Sequence, residues 1–124
     1  MTLEELYREI GGSYEQAQRV LRIDRLIDKH IRKFAESDVM SELLAQRTAP
    51  DGAKIFESAH AVKGICANLG LAAIAALASE LTEEFRPGNP RKLTDAEVAE
   101  RIGETEDLYR RAVAGIRRYA DSAE

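Results

Sequence analysis

Residues 51–70 read DGAKIFESAHAVKGICANLG. The apolar positions Ile55, Ala59, Val62, Cys66 and Leu69 are spaced 4, 3, 4 and 3 apart. That rhythm is one face of an amphipathic helix, predicted from about Asp51 to Leu69, with Gly70 placed to end it. At about 100° per residue, the apolar stripe stays within about ±40° of Ile55. His60 falls about 140° away, so its imidazole points outward from the middle of the helix. Lys63 and Gly64, three and four residues on, share its face. Ala53 and Ala67, seven residues to either side, keep that face small. Phe56 and Glu57 lie one turn toward the N-terminus. Gly64 is the anomaly, because a mid-helix glycine costs about 1 kcal/mol relative to alanine. It either lets a neighbouring helix come close or clears space for a partner beside His60. Its angle, opposite the apolar stripe, suits the second, and the residues alone leave both readings open.

Helices continue outward in both directions. Thr2 with Glu5 has capping-box spacing and opens a short helix that Gly11-Gly12 stops. Ser13 with Gln16 repeats the signal. Val20, Ile23, Ile27, Ile31 and Phe34 then predict one helix to about Ala35. Ser37 or Asp38 is placed to cap a short helix carrying Val39, Leu43 and Leu44. Beyond residue 70, Ile74, Leu77, Leu81 and Phe85 mark a third long helix, ended by Pro87-Gly88-Asn89-Pro90. Thr94 with Glu97 caps the last helix, whose stripe is Val98, Ile102, Thr105, Tyr109, Ala112, Ile116 and Tyr119. No period-2 alternation predicts a strand. The expectation is all-α: an up-down antiparallel four-helix bundle with one or two short extra helices at the N-terminal side. Residues 1–124 are read as a single domain, with Asp121 to Glu124 expected to fray.

Composition narrows the function. The chain has 124 residues and a net charge of −4, from 18 Lys+Arg against 22 Asp+Glu. A mildly acidic chain lacks the basic face that nucleic acid requires. Trp is absent and aromatics are 6%, too few for base-stacking platforms. One cysteine cannot build a disulfide framework or a cysteine zinc site. No apolar run approaches the ~18–20 residues that span a bilayer. The acidic start, Met1-Thr2-Leu3-Glu4-Glu5, is unlike a signal peptide, so the expected address is the cytoplasm.

Chemistry concentrates on His60. Glu57-Ser-Ala-His60 has the Glu-x-x-His spacing of di-iron bundles, but His30 has Ile27 three residues before it and supplies no second copy. His30 flanks the Ile27–Phe34 stripe and reads as a half-buried or surface histidine. Cys66 sits on the core stripe and reads as an inert thiol. Neither a Walker pattern nor a kinase glycine loop occurs, so no nucleotide site is expected.

The run Ala59-His60-Ala61-Val62-Lys63-Gly64, followed five residues later by Leu69-Gly70, resembles the signature of histidine-containing phosphotransfer (HPt) domains. The resemblance is strongest over residues 51–86. There Phe56 matches a usual apolar position, and Glu83-Glu84 with Arg86 resembles the family's acidic, basic-ended third helix. Val62 stands where the family often has leucine, and Asn68 has no assignable role.

The resemblance implies a phosphocarrier of multistep two-component relays. His60 would accept a phosphoryl group from a receiver-domain aspartate and pass it to another receiver, with Lys63 and Gly64 at the positions the family uses around it. Partners would be receiver domains of response regulators or hybrid kinases. The carrier needs no cofactor or metal of its own, magnesium being expected on the receiver. Which imidazole nitrogen reacts is not legible, although the family leads to Nε2. Elementary chemistry agrees. An ordinary histidine is largely neutral and nucleophilic near pH 7. Phosphoryl transfer asks mainly for positioning and electrostatics, which an ammonium one turn along supplies. Glu57 at i−3 is placed to accept the other ring N–H, or is simply a solvated glutamate. Phe56, Glu57 and Ala67 are the expected partner contacts. The alternative is an HPt-like module that carries no phosphate and inhibits a receiver or kinase. A monomer is expected.

Overall fold

The computed structural model describes residues 1–122. Among these the chain is all-helical, in the order α1 (Leu3–Glu9), α2 (Tyr14–Leu21), α3 (Asp24–Glu36), α4 (Ser41–Ala45), α5 (Gly52–Asn68), α6 (Ala72–Glu84) and α7 (Asp95–Ser122). The four long helices α3, α5, α6 and α7 form the bundle. Their buried faces meet along Ile27, Ile31, Ile55, Val62, Leu81, Ile102 and Ile116. The 28-residue α7 runs about 42 Å at 1.5 Å per residue and packs against α1, α3, α4 and α6. Both outer capping boxes form, Thr2 with Glu5 and Thr94 with Glu97. Ser13 also caps, its Oγ accepting from the Gln16 N–H at 3.1 Å.

Three expectations need correction. The helix predicted over 13–35 is two helices, so the short helices number three rather than one or two. The chain breaks at Arg22, whose φ is +74°, and at Ile23, which is extended. Val20 and Ile23 therefore leave the core stripe and are 46% and 48% exposed. The reason is tertiary: α2 is bonded to the end of α5, while α3 lies along α7. Neither Ser37 nor Asp38 caps α4 with its side chain. The Ser37 hydroxyl instead donates to the Phe34 carbonyl at the end of α3. Helix α4 begins only at Ser41, leaving Val39 in the connection. On α6 Ala78, rather than Leu77, is fully buried between Ile74 and Leu81, and Leu77 is half-buried.

The end of α5 is closed from outside. Helix C-termini leave carbonyls without intrahelical partners. Gln16 Nε2 donates to the Ala67 carbonyl at 2.8 Å, the Tyr7 hydroxyl to Leu69 at 2.5 Å, and the Ser13 N–H to Gly70 at 2.7 Å. Gly70, at φ +74°, makes the sharp exit to α6.

Candidate functional site

His60 sits in the third turn of α5 and is exposed, as its wheel position predicts. The apolar stripe behind it, Ile55, Ala59, Val62 and Cys66, is fully buried and fixes the helix face that presents the imidazole. Phe56, one turn below, stacks on that imidazole with ring centroids 6.0 Å apart and planes 17° from parallel. Lys63 is half-buried on the same face. Gly64 is exposed, and a Cβ built there meets nothing within 4 Å. The glycine therefore accommodates no neighbouring helix; the space beside His60 is open. Ala67 is half-buried one turn further on. Glu57 is exposed, and among the described residues it makes no hydrogen bond to His60. The ring restraint comes from Phe56 instead.

Two residues at the C-terminal end of α6 complete the cluster, Glu83 in its last turn and Arg86 two residues beyond it. The Arg86 guanidinium lies 5.5 Å from the Phe56 ring centroid. It grips both carboxylate oxygens of Glu83 at 2.7–3.1 Å. The Glu83 carboxyl is held below its ordinary value, first by its hydrogen bonds to Arg86, with the charges of Lys63 and His60 adding to the effect against a smaller opposing burial. The acid three residues before an arginine is an ordinary helical pairing signal. What the sequence did not disclose is that Arg86, just beyond the end of α6, lies over Phe56 of α5. The adjacent Glu84 belongs elsewhere. It is buried and accepts from the backbone N–H groups of Lys92 and Leu93 and from Arg91, tying the α6–α7 connection.

Other side chains raised by the sequence separate from this cluster. His30 is half-buried and lines a cavity of about 350 Å³ with Leu21, Phe34, Ile65 and Leu69, among others. Asn68 is exposed at its edge. Burial pushes the Cys66 thiol up to about 12, which leaves it unreactive at neutral pH. No group of three potential metal-ligating side chains occurs among the described residues, and no described helix is long and apolar enough to cross a membrane.

His60 is thus an exposed imidazole that shares its helix face with the Lys63 ammonium and an open glycine position. A family model described as Hpt domain matches residues 2–117, and the chain belongs to that family. Hpt domains are phosphocarrier modules rather than kinases, and they work with receiver domains in phosphorelays. Comparison with individual curated proteins and with solved structures returns no match.

Proposed function

We propose that His60 is the phosphoacceptor and that the chain shuttles a phosphoryl group between receiver domains. The observation that carries this reading is the pairing of an exposed His60 with open space at Gly64 on a rigid, fully packed helix. In the forward step a ring nitrogen, Nε2 on the family pattern, bonds to phosphorus as the bond to the receiver's aspartyl oxygen breaks. The receiver's carboxylate leaves with the bonding pair. Charge spreads over the phosphoryl oxygens in such a loose transition state, and the Lys63 ammonium on the same face stabilises it. Gly64 admits the receiver's loops. The magnesium that aspartyl phosphate chemistry uses belongs to the receiver, and the carrier contributes no metal or cofactor.

Phe56, Glu57 and Ala67 form the contact surface around the imidazole. Ile65, 40% exposed next to Gly64, extends that surface with an apolar side chain, which suits a protein partner. The chain works in this reading as a monomer in the cytoplasm. The test is transfer from a phosphorylated receiver to the wild type beside His60→Gln. The wild type should gain acid-labile, base-stable phosphate, and the variant none. Exposed polar swaps usually change stability by no more than ~0.5 kcal/mol, so the variant should stay folded. Binding of receivers without any label would establish the inhibitory module instead.

A further inference from the structure

We infer that Phe56 is a positioning residue for phosphoryl transfer, holding the His60 imidazole in one orientation by near-parallel stacking across a turn of α5. The inference rests on His60 being the phosphoacceptor and concerns how its ring is presented. Exposed side chains exchange rotamers on the picosecond to nanosecond scale. His60 is exposed and has no hydrogen bond among the described residues, so the Phe56 ring, 17° from parallel at 6.0 Å, is what restrains it. The nitrogen lone pairs lie in the plane of the imidazole. A ring against its face therefore fixes orientation without covering the nucleophile.

Phe56 is itself braced. The Arg86 guanidinium sits 5.5 Å from its centroid, and Arg86 is pinned by its double grip on Glu83. The brace thus runs from the end of α6 through Arg86 and Phe56 to His60. Arg and aromatic rings attract through charge and quadrupole, and aromatic pairs favour offset arrangements of this kind. Leucine at 56 would keep apolar bulk but offer no flat face to either neighbour. Orientation matters because a docked receiver holds its phosphorus at one place, and a misplacement of about 1 Å at a reacting centre can cost ~100-fold.

The experiment is single-turnover transfer from a phosphorylated receiver domain, titrated over receiver concentration, with proton NMR of the imidazole. In Phe56→Leu the saturating transfer rate should fall about tenfold, beyond any change in the half-saturating receiver concentration that the loss of a surface contact brings. Phe56→Tyr, which keeps a flat ring, should restore the rate. The imidazole C–H resonances should carry a ring-current shift in the wild type and the tyrosine variant and lose it in the leucine variant. A raised half-saturating concentration with an unchanged saturating rate would make Phe56 a docking contact only and overturn the inference. So would wild-type imidazole resonances without a ring-current shift. A wild type that takes no phosphoryl group from any receiver would sink the phosphocarrier reading itself, and the inference with it; the intact ring-current shift would tell that failure from the others.

Discussion

A Cβ at position 64 meets nothing within 4 Å. On the phosphocarrier reading proposed above, helix propensity opposes function at this residue. Gly64→Ala should stabilise the domain by roughly 0.5–1 kcal/mol, since a helical glycine is replaced without a clash. A bulkier residue, Gly64→Leu, should remain folded yet slow transfer to and from receivers. Thermal unfolding and single-turnover transfer on the same two variants check both halves. Unchanged transfer in the leucine variant would refute the clearance argument. This residue was legible in the sequence, because a glycine opposite an apolar stripe has a measurable cost and needs a reason. The Phe56 stack was only half legible. Its i,i+4 spacing to His60 is visible in the chain, whereas the Arg86 guanidinium over it comes from the connection that follows α6.

At the scale of the element, the legible parts were those with a periodic stripe and a cap. Helices α5 and α7 run close to where their apolar spacing and flanking residues place them, with α7 opening behind the Thr94–Glu97 box. The division of α2 from α3 was not legible. No glycine or proline marks it; a non-glycine residue, Arg22, takes the positive φ. The apolar rhythm continues through the break, and only contacts with α5 and α7 reveal it.

The connection from α6 to α7 depends on one acid. Burial alone would raise the Glu84 carboxyl, but donation from the Leu93 and Lys92 N–H groups and from Arg91 outweighs it, and the value is held below its ordinary 4.5. A depressed carboxyl stabilises the fold above its unfolded value, and that contribution disappears as pH falls through the folded value. Glu84→Gln should therefore lose about 1–2 kcal/mol at pH 7, since bonds to a charged acceptor are the stronger ones. The gap to wild type should narrow once pH falls below the ordinary carboxyl value and close as it passes through the depressed folded one. Denaturant melts of both proteins across pH 3–7 measure it, and a gap independent of pH would show that the charge is immaterial.

On the scale of the whole molecule, the N-terminal segment and α5 are one unit. Gly70 is the tightest point between them: a Cβ there would stand 2.3 Å from the Ser13 carbonyl oxygen, at a φ of +74°. Gly70→Ala should destabilise the domain by about 2 kcal/mol or more, combining the strained backbone with the collision. The midpoint of chemical unfolding reads it, and a shift below a few tenths would mean that the segment relaxes around the methyl. The bundle class was readable from four amphipathic stripes. This docking was not, because it joins a hydroxyl, an amide and a backbone N–H to carbonyls far along the chain.

That same docking sets an order of events during synthesis. Tyr7 and Gln16 precede the carbonyls they close by 62 and 51 residues. While the chain is emerging from the ribosome, α1 and α2 are complete long before Ala67 and Leu69 exist. Contacts of such sequence separation slow folding relative to a bundle built from neighbouring helices alone. The helix that carries His60 is therefore closed at its C-terminal end by residues made early, acting on carbonyls made 51 and 62 residues later.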